Sequence, residues 1–137
     1  MSADIRLVLI ILAVRDLPRA VKFYREAFSW PLIVDVPVYA EFALPHNQRL
    51  GLYQREGFGL NVGQIPIEVP EDQLAGVEVY FYVDDLPTAM TRLEVAGART
   101  LSPLTVRDWG DEAAYFADPD GNVLVVARPA RTDPTDQ

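Results

Sequence analysis

Apolar residues near the amino terminus follow first the period of a strand and then that of a helix. The run 7–14 is apolar throughout, and its length suits a buried strand. Asp16 follows as a predicted helix N-cap, and Pro18 falls in the first turn, where a missing N–H costs nothing. The apolar side chains of this helix should face a sheet. They are Leu17, Val21, Tyr24 and Phe28.

The same pattern returns in the second half of the chain. Five of the seven residues in 14–20 are identical to those in 83–89, which lie 69 positions later. Another apolar run, 77–83, leads into this second copy. The chain is therefore predicted to be a tandem repeat. The second helix is predicted from its cap Asp85, from Pro87, from the stripe Leu86, Met90 and Leu93, and from the terminating Gly97.

Three strands are predicted after each helix. In the first copy they are 32–36, 38–44 and 49–54, with a hairpin tip at 46–48. In the second copy they are 99–101, 113–117 and 122–127, with a turn at 118–121. Each copy is thus a βαβββ module.

The 137 residues have the length of one domain, 1–137, made of two repeats. The first module is predicted at 5–56 and the second at 76–128. The segment 57–75 is rich in Gly and Pro and is interpreted as a crossover between them. The polar tail 129–137 is expected to be frayed.

Composition excludes several classes of protein. The net charge of −8 disfavours nucleic acid and anionic membrane as partners. Without cysteine there can be no disulfide, thiolate metal site or thiol nucleophile, and the single histidine, His46, lies in a predicted hairpin tip. The longest apolar run has eight residues, too few to cross a bilayer. We expect a cytoplasmic protein.

Several motifs together resemble the vicinal oxygen chelate superfamily, which includes glyoxalase I, bleomycin-resistance proteins and extradiol dioxygenases. They are the two βαβββ modules, the V-x-D-L that opens each helix, Phe23-Tyr24, and D-P-D-G-N at 118–122. The resemblance covers residues 5–128. It implies an α+β fold whose two modules form a half-barrel cleft, and it implies a homodimer. One histidine disfavours an extradiol dioxygenase.

The resemblance also implies four metal-ligand positions, on the first and last strand of each module. In this sequence they fall on Leu9, Gly51, Glu78 and Val125. Only Glu78 has a donor side chain, whereas a closed divalent site needs about three protein ligands. The sequence therefore predicts no metal and no cofactor.

Strand alternation predicts what lines the cleft instead. Side chains two residues apart share a face, so Ile11, Tyr53, Tyr80 and Tyr82 should point the same way as the four ligand positions. Trp109, in the loop before the seventh strand, either stacks on a ligand or plugs one end of the cleft. The predicted ligand-binding residues are Leu9, Ile11, Gly51, Tyr53, Glu78, Tyr80, Tyr82, Trp109 and Val125.

The first hypothesis is a metal-independent small-molecule binding protein of the glyoxalase/bleomycin-resistance type, which takes an aromatic or cationic compound in an apolar-aromatic cleft. The alternative is a lyase or isomerase of the same superfamily, with Glu78 as general base. Glu78 can also be interpreted as a carboxylate without a functional role, either solvated or ion-paired. A third hypothesis is a structural or partner-binding domain that fills its cleft with its own side chains. Glu41 is a second candidate carboxylate, but whether it points into the cleft depends on the strand register.

Overall fold

A computed structural model describes residues 4–130. The chain separates into two compact units, with the boundary between Glu68 and Val69. This boundary lies inside the segment 57–75 that the sequence indicates as the crossover.

Unit 1 is a four-stranded mixed sheet with a long helix between its first two strands. Its strand order is β1-β4-β3-β2, with β1 parallel to β4 and the other pairs antiparallel. Its elements are β1 (Leu9–Val14), α1 (Leu17–Phe28), β2 (Leu32–Val36), β3 (Tyr39–Ala43), β4 (Arg49–Gln54) and α2 (Arg55–Val62).

Unit 2 repeats this arrangement, in the order β5-β8-β7-β6 and with β5 parallel to β8. Its elements are β5 (Glu78–Tyr82), α3 (Leu86–Ala96), β6 (Arg99–Val106), β7 (Asp111–Ala117) and β8 (Val123–Pro129). Each unit therefore contains one βαβββ module, which confirms the predicted α+β class and the tandem repeat.

The helix α1 begins where the sequence predicts, but its buried face is rotated from the predicted stripe. Asp16 is the N-cap and accepts a hydrogen bond from the Arg19 backbone N–H at 3.2 Å. Val21 and Phe28 are only partly buried, because the sheet contacts a row one position away from each. The buried residues of α1 are Leu17, Ala20, Phe23, Tyr24 and Ala27.

The helix α3 is built by the same rules. The Asp85 side chain accepts a hydrogen bond from the Thr88 backbone N–H at 3.1 Å, and Gly97 ends the helix at φ +101°. Leu86 and Leu93 are fully buried, whereas Met90 is only partly so.

Several boundaries differ from the prediction. The largest difference is in β6, predicted at 99–101, which extends to Val106 because its pairing with β7 continues through two register shifts as far as Val106 opposite Glu112. The residues 55–62 form α2 rather than the start of an irregular crossover. β7 begins at Asp111, two residues early, because its pairing with β8 extends to Asp111 opposite Pro129. β8 consequently includes Pro129, which the sequence assigns to the frayed tail, and residues 131–137 of that tail lie outside the described part.

The predicted hairpin tip at 46–48 contains a short 3-10 turn, Pro45–Asn47, with His46 at φ 63° and Asn47 at φ 61°. The longest helix in residues 4–130 has 12 residues. A bilayer-spanning helix needs about 20 residues, and none of these helices could cross a membrane.

Candidate functional site

One face of the unit 2 sheet carries four of the side chains that the sequence predicts for the site. Tyr80 on β5 pairs with Val125 on β8, and Val125 pairs with Tyr115 on β7. Because side chains at paired positions lie on the same face, these three residues form one row across the sheet. Glu78 and Tyr82 flank Tyr80 on the same face. The buried floor of this face consists of Ala113, Val125 and Ala127, with Tyr115 and Val123 packed against it.

Asp111 organises the aromatic rings at one end of this face. The Tyr80 hydroxyl donates to Asp111 Oδ2 at 2.6 Å, and the Tyr82 hydroxyl donates to Oδ1 at 3.1 Å. The Trp109 indole N–H in turn donates to the Tyr80 hydroxyl oxygen at 2.9 Å. We call Tyr80, Tyr82, Trp109 and Asp111 the aromatic site.

The turn between β6 and β7 sets the geometry of this site. The Arg107 backbone N–H donates to the Asp111 carbonyl at 2.7 Å, and the Gly110 N–H donates to the Arg107 carbonyl at 3.0 Å. Gly110 has φ +98°, a conformation that glycine adopts without steric cost. This tight turn holds Trp109 where its indole N–H reaches the Tyr80 hydroxyl.

The aromatic site combines a buried carboxylate with exposed rings. Asp111 is 6% exposed, whereas Tyr82 is 65% and Trp109 58% exposed. The Tyr80 and Tyr82 rings meet edge to face at 6.1 Å. The pKa of Tyr82 is raised, mainly by the hydrogen bond from the Tyr82 hydroxyl to Asp111 and secondly by burial. The pKa of Tyr80 is also raised, mainly by burial and secondly by the hydrogen bond to Asp111. Both phenols therefore stay protonated and act as donors.

Glu78 lies on the same face but in an exposed position, at the first residue of β5. The negative charge of Glu78 acts on Tyr115. Burial is the main cause that raises the pKa of Tyr115 and the charge of Glu78 is the second, whereas the charge of Arg107 lowers it. The Arg107 guanidinium lies over the Tyr115 ring, 4.8 Å from the centroid.

In unit 1 the predicted residues also share one sheet face. Ile11 pairs with Gly51. Leu9 lies two residues before Ile11 on β1, and Tyr53 lies two residues after Gly51 on β4, so both point to the same face. Glu41 pairs with Gly51 from the other side, so its carboxylate belongs to this face as well. The register that the sequence leaves open is thereby fixed.

Glu41 is the centre of a hydrogen-bonded cluster in unit 1. It is 5% exposed, and its Oε1 accepts a hydrogen bond from the Tyr39 hydroxyl at 2.6 Å. Arg49 Nη1 donates to Oε2 at 3.0 Å. Burial, and then the hydrogen bond to Glu41, raise the pKa of Tyr39 far above its ordinary range. We call Tyr39, Glu41 and Arg49 the Tyr39 cluster.

The Tyr39 cluster explains why position 51 is a glycine. A Cβ atom on Gly51 would collide with the Tyr39 ring, whose Cζ would lie 2.9 Å away. The ring cannot easily move, since its hydroxyl is bound to Glu41 and it packs on Tyr53 at 5.1 Å between centroids. Tyr39 thus fills the space of a longer side chain at this ligand position.

The four positions that the superfamily uses for a metal do not fit one here. Leu9, Gly51 and Val125 have no donor atom, and the fourth, Glu78, is a single exposed carboxylate. Within residues 4–130 there is no group of three or more Asp, Glu or His side chains placed to hold a metal ion.

Sequence reasoning missed Asp111, Tyr115 and Arg107 in unit 2, and Tyr39 and Arg49 in unit 1. Asp111 and Tyr115 could have been found by continuing the alternation of β7, had the strand been extended to 111. Arg107 had no such signal, because a side chain at a turn follows no strand period.

The fold and the comparison with known proteins agree on the class of protein. A glyoxalase-related enzyme from Fulvimarina pelagi has a TM-score of 0.78 at 23% identity, covering 89% of this chain and 86% of its own. A glyoxalase/bleomycin resistance protein/dioxygenase from Nocardioides has a TM-score of 0.79 at 22% identity, covering 97% and 89%. Both share the glyoxalase/bleomycin-resistance fold with this chain.

Residues 7–130 match the family model of the Glyoxalase-like domain, and the chain belongs to this family. No functionally curated protein matches it. Similarity to structures at these identities establishes the fold, and the chemistry has to be argued from the site.

Proposed function

We propose that this protein binds a flat, cationic aromatic compound at the aromatic site of unit 2, without a metal ion. The observation that carries the proposal is the Asp111 carboxylate, which accepts hydrogen bonds from the hydroxyls of two tyrosines whose rings are exposed. The lack of donors at Leu9, Gly51 and Val125 supports metal independence.

Three properties favour a cation with an aromatic body. Tyrosine and tryptophan faces attract cations, by about 0.5–2 kcal/mol for each contact. The nearly buried Asp111 carboxylate, bound to the tyrosine hydroxyls, adds negative potential beside those rings. The net charge of −8 also raises the local concentration of cations around the protein.

Calorimetric titration with a matched pair of dyes tests this proposal. N-methylacridinium is a permanent cation, and acridine, in mildly alkaline buffer, is the same ring system without charge. We expect N-methylacridinium to bind about tenfold more tightly, which corresponds to one good cation–π contact. Equal affinity for the two dyes, or no binding of either at high micromolar concentration, would contradict the proposal.

Variants at Tyr82 locate the binding. Tyr82→Leu removes an exposed ring and should weaken binding of N-methylacridinium severalfold. Tyr82→Phe is the matched control, since it keeps the ring and loses only the hydroxyl bound to Asp111. A Tyr82→Leu variant that binds as tightly as the wild type would show that the dye does not bind at the aromatic site.

Glu78→Gln separates binding from the alternative role of Glu78 as a general base. An exposed carboxylate near the rings contributes modestly to cation affinity, and its loss should weaken binding only about twofold. If a turnover of any carbonyl substrate is found and falls about a hundredfold or more in this variant, the lyase or isomerase hypothesis replaces ours.

We propose in addition that the chain forms a homodimer. Support comes from the edge strand β1 and the residues before it, where apolar side chains are exposed, Leu7 by 63%, Val8 by 43% and Ile10 by 41%. An apolar edge of this kind favours association with another chain. Light scattering coupled to size exclusion should give twice the mass of the chain, and a monomeric mass would overturn this proposal.

A further inference from the structure

We propose that the ligand of unit 2 carries an acidic group as well as its cationic aromatic body, and that Arg107 binds this acidic group. The inference rests on the proposed function, since it names the second half of the molecule that the aromatic site binds. It follows from the hydrogen bonds that hold the Arg107 side chain and from the absence, within the described part of the chain, of a carboxylate among its partners.

Arg107 is fixed in place by backbone and hydroxyl oxygens. Its Nη2 donates to the carbonyls of Pro103 at 2.7 Å and Ala113 at 2.9 Å, and to Ser102 Oγ at 3.1 Å. Its Nε donates to the Ala113 carbonyl at 3.3 Å. The pairing of β6 with β7 shifts register between Ser102 and Thr105, so these oxygens lie where the ladder is irregular.

The positive charge of Arg107 is not neutralised by these contacts. Every oxygen that it contacts belongs to a neutral group, and the Tyr115 ring beneath it is neutral too. Over residues 4–130, no acceptor takes a hydrogen bond from Nη1. Arg128 and Arg49, by contrast, each form an ion pair with a glutamate at 3.0 Å.

A cation held this way is suited to bind an anion. Most of its side-chain entropy is already lost to the contacts at Nε and Nη2, so binding a ligand through Nη1 costs little further ordering. A carboxylate would gain a charge-assisted hydrogen bond there, to the positive charge of the guanidinium.

Arg107 and the aromatic site belong to one surface of unit 2. Tyr115, beneath Arg107, is in the same row as Tyr80, with only Val125 between them. Arg107 also begins the turn that ends at Asp111, and their backbones are joined at 2.7 Å. A ligand stacked on Tyr80 can therefore extend an acidic group toward Arg107. The predicted class is a flat aromatic cation with a carboxylate attached to it.

Two rhodamine dyes that differ only in an ester test this directly. One is a zwitterion with a free benzoate, and the other is its methyl ester, with the same xanthylium cation and no acid. In a fluorescence anisotropy titration of the full-length protein, we expect the acid to bind about tenfold more tightly than the ester. This is the size of one charge-assisted hydrogen bond. Raising the salt concentration should reduce this preference, because charge contacts at a surface are screened.

The Arg107→Gln variant should bind both dyes equally, at the affinity that the wild type has for the ester. Arg128→Gln is the matched control and should keep the preference, because Arg128 is already paired with Glu112. Binding of the ester shows in each variant that unit 2 is folded. Should Arg107→Gln fail to fold, Arg107→Lys takes its place: it keeps the charge but loses the guanidinium that donates through Nη1, and the preference for the acid should fall.

The outcomes separate this inference from the function on which it rests. Equal binding of acid and ester by the wild type overturns the role of Arg107 and leaves the cation site standing. A preference for the acid that survives Arg107→Gln or high salt overturns it too, since another group would be responsible. Binding of neither dye overturns the cation site, and the inference with it.

Discussion

At the scale of single residues, Asp111 decides what the unit 2 face can bind. A buried carboxylate must have its charge satisfied by hydrogen bonds, and here the donors are the hydroxyls of Tyr80 and Tyr82. The donors belong to the exposed rings of the aromatic site. The same contacts that stabilise the charge therefore orient the rings, and the site is formed before any ligand arrives.

The alkaline titration of tyrosine tests this arrangement. The pKa of Tyr80 is raised by burial and then by the hydrogen bond to Asp111, and that of Tyr82 mainly by its hydrogen bond to Asp111. Asp111→Asn should therefore move part of the tyrosinate absorbance curve to lower pH, toward the ordinary value of about 10. Glu112→Gln is the control, since Glu112 pairs with Arg128 instead. Identical curves for Asp111→Asn and the wild type would contradict the assigned hydrogen bonds.

The direction of the shift also fixes its effect on stability. The pKa values of Tyr39, Tyr80, Tyr82 and Tyr115 are all raised in the folded chain. Their contribution is complete below about pH 10, where unfolded tyrosine is protonated, and is lost as the pH rises above that value. Urea unfolding midpoints should therefore fall steeply on the alkaline side, and less steeply for Asp111→Asn.

Gly51 provides a second test at this scale. Gly51→Ala should destabilise the protein by about 1–3 kcal/mol, the usual cost of overpacking, because its Cβ would meet the ring of Tyr39. In a Tyr39→Ala background the same change should cost little, since the space is then free. A double-mutant cycle by urea unfolding measures this coupling, and additive costs would show that Tyr39 does not explain Gly51.

At the scale of elements, the start of α1 depends on two side chains from different parts of unit 1. Asp16 caps the helix locally, and Gln54, at the end of β4, accepts from the Leu17 N–H at 3.0 Å and donates to the Arg15 carbonyl at 2.6 Å. The helix is thereby attached to the strand that carries Gly51 and Tyr53.

Asp16→Ala should reduce the free energy of unfolding by about 1 kcal/mol, as for other N-caps. Asp16→Asn keeps an oxygen that accepts from the Arg19 N–H and should cost much less. Thermal or urea unfolding followed by circular dichroism checks both. Equal losses for the two variants would mean that charge, and not the hydrogen bond, accounts for the stabilisation.

Elements with their own local signals were predictable from the sequence. The N-caps of α1 and α3 and the strand 49–54 lie where the patterns predict them. The helix α2 was missed, because Gly57 and Gly59 inside it read as helix breakers. The chain just after α2 folds back onto it: Ile65 packs so closely on Gly59 that a side chain there would clash, and Arg55 donates to the Pro66 carbonyl at 2.9 Å.

The candidate site was predictable only in part for the same reason. Alternation along β5 indicates that Tyr80 and Tyr82 share a face, because a strand's side-chain period is local. The partner of both hydroxyls, Asp111, lies about 30 residues further on, and its position follows from the pairing of β7 with β8. Cross-strand pairing of this kind is a tertiary property that no local pattern contains.

At the scale of the whole molecule, the chain keeps the repeat of its family while three of the four metal positions have no donor side chain. Both βαβββ modules are present, and residues 7–130 match the Glyoxalase-like domain. Gly51 is closed off by Tyr39, and Val125 is part of a buried apolar floor. We propose that the chain is a family member that binds its ligand without a metal ion, through the aromatic site and Arg107 of unit 2.

The most direct test is the affinity of chelator-treated protein for N-methylacridinium, measured by calorimetry before and after addition of Mn²⁺, Ni²⁺, Zn²⁺ or Fe²⁺. Our account predicts one dye bound per chain in the absence of metal, the same affinity when metal is added, and far less than one equivalent of metal retained after gel filtration. Binding that appears only with a metal, together with a full retained equivalent, would contradict it and would bring the enzyme hypothesis forward.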